Sequence, residues 1–292
     1  MTVAYVFPGQ GAQFVGMGYP LYEQFEKAKI IFEEANDILG FNITDIMFNG
    51  NDEDLKQTKV TQPAIFLHSV VRTQLLKNFE GIMTAGHSLG EYSALVAAKV
   101  LNWQDALKLV SARAQAMQKA CENQPGTMAA IIGLENKIIE GVCEDINGIV
   151  VPANYNTEGQ LVISGEVDAV KKACTKLTEH GAKRALLLNV GGAFHSPIMA
   201  SAADELKSTI EKISFQSAAI KIFQNVTAMS YTDANQIKNN LIDQLTGPVK
   251  WAQTIKNMLD NGITKFVEIG PGRALQGMIK KIDRSTDTEG LS

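Results

Sequence analysis

The sequence predicts an α/β fold in which a small βαββαβ domain interrupts a larger one. Three observations carry this. Apolar strands alternate with amphipathic helices from Val3 onward. A Gly-x-Ser-x-Gly pentad, Gly86-His87-Ser88-Leu89-Gly90, stands between a strand and a helix. After Pro125-Gly126, strands and helices follow the order of a split βαβ unit.

Val3–Phe7 is an apolar run and reads as a strand. It breaks into Pro8-Gly9-Gln10-Gly11-Ala12-Gln13, small residues whose backbone can approach a ligand closely. This loop is not a dinucleotide fingerprint, because the Gly-x-Gly-x-x-Gly spacing fails. Nor is it a P-loop, because no Gly-Lys-Ser/Thr follows. Its position fits either a plain turn or an oxyanion donor, the amide of Gln10. A helix is expected from about Pro20 to Leu39, then short connecting pieces at Ile43–Phe48 and Asp52–Leu55. Thr61-Gln62-Pro63-Ala64 opens a helix to roughly Leu76, with its proline just inside the start. His68 falls among apolar neighbours in that helix, as a packed side chain would.

Ile82–Ala85 and Glu91–Ala98 supply the strand and helix that flank a nucleophile elbow. The turn is tight enough to strain the serine and hold its hydroxyl above the sheet edge. A Cβ at either glycine would strike the neighbouring strand or helix. Ser88 is then the nucleophile, and the Leu89 amide points at the oxyanion formed when it attacks a carbonyl. The alternative is a helix start with Ser88 as its N-cap. In the next helix, Trp103–Cys121, the residues Trp103, Ala106, Leu107, Val110, Ala114, Met117 and Cys121 form one stripe. Arg113 sits at the edge of that stripe. A guanidinium there needs an anionic partner, either a protein carboxylate or helix C-terminus, or the carboxylate of a substrate.

Thr127–Leu134 is predicted as a strand, Lys137–Ile146 as a helix and Ile149–Ala153 as a strand, with a turn over Asn154–Gly159. Gln160–Ser164, Val167–His180 and Lys183–Asn189 continue as strand, helix and strand. Over about sixty residues this is the ferredoxin-like order. Lys171, Lys172, Lys176, Lys183 and Arg184 make it locally basic. Beyond it, His195 lies on a glycine-rich loop before a helix from about Ile198 to Ile213. Of the four histidines it is the best placed partner for Ser88. His87 cannot easily turn back onto its neighbour, and His68 and His180 fall in helices. Between Ser88 and His195, Glu166 and Asp168 open a helix as first-turn residues and make no convincing partner acid; a backbone carbonyl could supply the orientation of the imidazole instead. Ala219–Val226 is predicted as a strand, a helix starts at Trp251, and Thr264–Ile269 is a strand ending in Gly270-Pro271-Gly272. The helix Ala274–Ile282 and a disordered polar tail, Asp283–Ser292, complete the expectation.

Composition narrows the function classes. The chain has 292 residues, 45% hydrophobic and 20% charged, with net charge −4. That describes a globular protein, speaks against a nucleic-acid partner, and leaves no charge block suited to a membrane surface. The start is an immediate strand with no basic leader, so no signal peptide is expected. Three cysteines without close pairing fit a reducing cytoplasm and exclude the usual zinc spacings.

Taken together, Phe7–Gln13, Thr61–Ala64, Gly86–Leu95, Arg113 with Met117, Gly192–Ser196 and Glu268–Gly272 resemble the malonyl-CoA:acyl carrier protein transacylases of bacterial type II fatty acid synthesis. The resemblance runs from about Val3 to Lys280. It implies an α/β-hydrolase-like large domain (1–124 and 191–292) with an inserted ferredoxin-like small domain (125–190). It further implies Ser88 as nucleophile, His195 as base and then acid, and the Gln10 and Leu89 amides as oxyanion hole. Arg113 would clamp the malonyl carboxylate and the Gln244 carbonyl would orient His195. Gln62, Met117 and Phe194 match pocket positions, while Asn156, Lys183 and Arg184 resemble positions near the coenzyme A or carrier arm. The expected partners are malonyl-CoA and holo acyl carrier protein. A cytoplasmic monomer is expected, with no cofactor, metal, nucleic acid or membrane. Competing readings are a trans-acting acyltransferase of a polyketide synthase, a serine thioesterase or hydrolase, and a non-catalytic docking subunit.

Overall fold

Two neighbouring strands set the frame of the computed structural model, which describes residues 1–292. They are β1 (Val3–Phe7) and β2 (Gly81–Gly86), parallel and in register from Ala4–Met83 to Phe7–Gly86. Between them run α1 (Tyr19–Gln24), α2 (Glu26–Leu39), α3 (Ile43–Asn49), α4 (Asp52–Lys56) and α5 (Thr58–Gln74). The single helix expected from Pro20 is therefore two, because Phe25 takes an extended backbone and caps one while starting the next. The two connecting pieces are short helices. Pro63 lies inside α5 rather than at its start, since Thr58 and the residues after it already coil.

After β2 come α6 (Gly90–Ala97) and α7 (Trp103–Asn123), then β3 (Gly126–Ile132), α8 (Asn136–Asp145), β4 (Val150–Thr157), β5 (Gln160–Glu166), α9 (Val167–Glu179) and β6 (Arg184–Leu187). The chain returns through α10 (Ala200–Ile210), β7 (Lys221–Phe223), β8 (Ser230–Tyr231), α11 (Ala234–Asp243), α12 (Trp251–Asp260), β9 (Lys265–Ile269), α13 (Ala274–Ile282) and β10 (Asp287–Leu291). A 3-10 turn over Pro197–Met199 replaces the first turn of the helix expected from Ile198. The strand expected over Ala219–Val226 shortens to β7, freeing Gln224 and Asn225 to leave the sheet.

The strands form two sheets. The first has the order β10-β9-β1-β2-β7-β8, parallel except for β8. The second is antiparallel, in the order β4-β5-β3-β6, and is built from one continuous stretch of chain. Its side chains alternate across the pleat. Ala129, Ile131, Leu161 and Ile163 join a small core with residues of α8 and α9, while Met128, Ala130 and Val162 join the main core. Both faces of its central strands, β3 and β5, are thus covered. Val249 ties its edge to the first body, donating from its amide to Ala153 at 2.8 Å and accepting from Tyr155 at 2.9 Å.

Two further expectations fail in the sheets. Asn154–Thr157 is strand, not turn, because β4 and β5 pair down to Thr157–Gln160. The tail is not disordered: Asp287–Leu291 pairs with β9 over its whole length. Asp283 holds the turn before it, accepting from the Ser285 amide at 2.8 Å and the Thr286 hydroxyl at 2.6 Å. Lys265 and Glu289 bridge the two strands at 2.6 Å.

Candidate active site

Parallel strands end together, so the loops that follow them converge at one sheet edge. At the carboxyl ends of β1, β2, β7 and β9 lie the Gln10 loop, the Ser88 turn, Gln224-Asn225 and Gly270-Pro271-Gly272. The approach of these segments explains the glycines of the pentad. A Cβ on Gly86 would run into the Gly90 carbonyl, and one on Gly90 into the carbonyl of Phe7. Ser88 itself takes φ 51°, a left-handed conformation that costs an L-residue about 1–2 kcal/mol.

That strained turn is braced. The Ser88 amide donates to Asn225 Oδ1 at 2.7 Å, and Asn225 Nδ2 donates to the Gly86 carbonyl at 2.7 Å. Gln244 Nε2 donates to the Ser88 carbonyl at 2.9 Å. The Leu89 and Gln10 amides donate to no group of the protein, and both residues line the cavity in front of Ser88.

His195 lies 107 positions after Ser88, with its Nε2 2.7 Å from Ser88 Oγ. Its Nδ1 donates to the carbonyls of Gln244 at 3.0 Å and Gly247 at 3.1 Å. Two carbonyl acceptors at Nδ1 place the proton there and leave Nε2 as the acceptor for the serine hydroxyl. No carboxylate bonds to the ring. The second carbonyl, Gly247, lay beyond what the sequence indicated.

Arg113 is 1% exposed, so its charge is buried. Nη1 donates to Gln62 Oε1 at 2.6 Å, and Nη2 to Ser88 Oγ at 3.1 Å and Gln244 Oε1 at 3.3 Å. All three acceptors are neutral, and no carboxylate stands within ion-pair distance. The guanidinium also lies 5.7 Å from the Tyr92 ring centroid. Gln62 is in turn set by Met117, whose Sδ accepts from Gln62 Nε2 at 3.3 Å.

These groups open onto a cavity of about 280 Å³. Gln10, Gln62, Met117, Asn156, Phe194 and Leu89 line it beside Ser88, Arg113 and His195, and so does Lys56, which the sequence did not single out. No Asp or Glu lines it. Asn156 Oδ1 accepts from His87 Nε2 at 2.9 Å, which occupies the histidine inside the pentad. Lys183 and Arg184 do not line the cavity. They are exposed at the start of β6, where the Lys183 amide donates to Ile132 and Arg184 pairs with the same residue across the sheet.

Burial sets the protonation of the dyad. Desolvation, helped by the Arg113 charge, pushes His195 down to about 3, against the two carbonyls that favour the charged ring. The folded pKa lies below the unfolded one. The ring is therefore neutral in the folded protein until pH falls toward 3, and its contribution to stability fades as pH drops below 6.5. Histidine NMR is expected to find His195 neutral, with its proton on Nδ1, from pH 8 down to pH 5. A resonance titrating near 6.5 and missing from His195→Asn would contradict this. Burial also lowers His68, to about 4, in keeping with a packed side chain. No cluster of three or more His, Cys, Asp or Glu is placed to hold a metal ion, and no helix is long and apolar enough to cross a membrane.

A half-buried serine against a buried imidazole, two unengaged amides and a guanidinium without an ion-pair partner can together open an ester or thioester whose acyl group carries an acid. The whole chain is similar to known acyltransferases. A model of the acyl transferase domain matches residues 4–289. The sequence is 40% identical to a malonyl CoA-acyl carrier protein transacylase of Bacillus subtilis, over 99% of this chain and 93% of that protein. The crystal structure of an acyl carrier protein S-malonyltransferase from Vibrio cholerae has TM-score 0.95 at 42% identity, covering 100% of this chain and 97% of that one. A malonyl-transacylase in complex with its type II polyketide acyl-carrier protein has TM-score 0.94 at 38% identity, with 99% and 95% covered.

Proposed function

The chain belongs to the acyl transferase family, and on that premise we propose how it moves a malonyl group from malonyl-CoA to the phosphopantetheine thiol of an acyl carrier protein. The activity is that of an [acyl-carrier-protein] S-malonyltransferase. The observation that carries the residue roles is the buried Arg113, whose Nη2 stands 3.1 Å from Ser88 Oγ with only neutral acceptors around it. It is a site for an anion beside a nucleophile.

Ser88 attacks the thioester carbonyl while His195 Nε2 takes its proton. The oxyanion rests on the Gln10 and Leu89 amides, each such donor typically worth ~10²–10³ in rate. Collapse breaks the C–S bond, and His195 returns the proton to the coenzyme A thiolate. In the second half, the carrier's thiol gives its proton to His195 and attacks the malonyl-serine ester, and Ser88 leaves with that proton. Arg113 holds the malonyl carboxylate throughout, with Gln62 steering the guanidinium and Met117, Phe194 and Asn156 shaping the pocket. The Gln244 and Gly247 carbonyls replace the usual acid. Lys183 and Arg184 lie outside the cavity, and their place in this reading is on the surface that receives the acidic carrier body.

We describe the fold as an α/β-hydrolase-like domain, 1–124 and 191–292, with a ferredoxin-like insert, 125–190. The self-contained pairing of β3 to β6 supports that division. No cofactor is invoked. A reducing cytoplasm suits the three free cysteines, and a monomer is the state expected of this reading. Fatty acid synthesis is the setting we favour. The polyketide complex among the similar structures supports a second pathway for the same chemistry.

The transferase and hydrolase readings separate on the fate of the acyl-enzyme. Malonyl-Ser88 is expected to persist in buffer and to discharge within seconds onto holo carrier, but not onto apo carrier. Free malonate accumulating at the same rate with and without carrier would favour the hydrolase.

A further inference from the structure

Glu91 is the one buried acid at the site that the chemistry above does not use. It is 0% exposed, on a helix every residue of which is buried. Burial pushes its carboxyl up to about 7. A carboxylate held there requires partners, and two N–H groups converge on it. Oε2 accepts from the Asn225 amide at 2.8 Å, and Oε1 from Gln224 Nε2 at 3.0 Å. Gln224 is itself fixed, donating to the Ile237 carbonyl at 3.0 Å and accepting from Asn240 Nδ2 at 2.8 Å. Glu91 therefore pins the segment that leaves β7. The next link is the Asn225 carboxamide, which spans the strained turn from the Ser88 amide to the Gly86 carbonyl.

Resting on the acyl-transfer reading, we propose that Glu91 is a positioning residue for Ser88, acting through Asn225. The chain of contacts has a chemical logic. Asn225 engages the Ser88 amide and keeps the φ 51° conformation that presents Oγ to His195 Nε2. The amide of the following residue, Leu89, is left free for the oxyanion. A carboxylate is needed because both of its oxygens must accept. A carboxamide in its place turns one N–H toward another N–H and leaves a buried donor unpaired.

The test compares parent, Glu91→Gln, Asn225→Ser and the double variant at about pH 8.5, above the raised carboxyl pKa. Single-turnover malonylation is followed by intact mass, with the apparent Kd for malonyl-CoA and the melting temperature measured alongside. A positioning role predicts that E91Q slows acylation by about 10–100-fold, the loss of roughly one buried charged hydrogen bond, with Kd within about threefold of parent. The double variant is then no slower than the worse single one, because both act through one contact. Acylation by E91Q at the parental rate, or losses that multiply in the double variant, would overturn the proposal. If E91Q does not fold, Glu91→Asp, whose carboxylate is withdrawn by one methylene, is read in the same assay with the same expectations. A parent that forms no malonyl adduct would instead overturn the acyl-transfer reading.

Discussion

Arg113→Ala is expected to erase most of the preference for malonyl over acetyl thioesters. In the parent, an acetyl group leaves the guanidinium buried with only neutral acceptors, whereas a malonyl carboxylate meets it with a charge. Removing one member of a buried charge pair costs about 3–5 kcal/mol, which corresponds to a factor of roughly 10² to 4 × 10³. The ratio of kcat/KM values for malonyl-CoA and acetyl-CoA should fall by that order. The ratio is the right readout, because the variant also strips a donor from Gln62, Gln244 and Ser88 and so lowers both absolute rates. An unchanged ratio would place the carboxylate elsewhere. Arg113→Lys should recover little, since a point charge on a shorter reach cannot hold Gln62 and a carboxylate in one plane.

His195→Ala is expected to slow acylation by about 10²–10⁴, the usual worth of a positioned general base. Binding of malonyl-CoA should change little, because the ring faces Ser88 and two carbonyls rather than the anion site. The loss should appear in single turnover with malonyl-CoA and again, separately, when preformed acyl-enzyme is mixed with holo carrier. The same imidazole handles the proton in both halves. A defect confined to one half would mean that another group serves the other. A side-chain change at Gln244 is not equivalent. Its backbone carbonyl orients His195, while its side chain braces Ser88 and meets Arg113.

The residues legible in the sequence are those whose environment is local or narrowed by elimination. The Ser88 turn could be recognised because strand, glycines and helix are contiguous. His195 could be paired with it because there are only four histidines and the others are accounted for nearby. Arg113 stood out as a charge at the edge of an apolar stripe, and it is indeed buried. The bracing partners were not legible. Asn225 is 137 positions from Ser88, and nothing around it distinguishes it from any loop asparagine. Glu91 carried a faint signal, a single acid at the head of the otherwise uncharged helix segment Glu91–Ala98. The strand β10 was missed because Asp287–Leu291 has no apolar alternation. It is held by the ladder to β9 and by the Asp283 turn rather than by its own pattern. Around Asn156 the run of Asn and Gly predicts a turn. The pairing of β4 with β5 extends the strand through it and aims its carboxamide at His87.

The central claim is a malonyl group carried on Ser88 and passed on. Intact-protein mass spectrometry, seconds after mixing with malonyl-CoA, tests it most directly, with Ser88→Ala and acetyl-CoA as controls. The expected result is one malonyl adduct on the parent, none on Ser88→Ala, little adduct with acetyl-CoA, and loss of the adduct when holo carrier is added. An adduct that persists on Ser88→Ala, or a parent that carries none while coenzyme A is released, would contradict it.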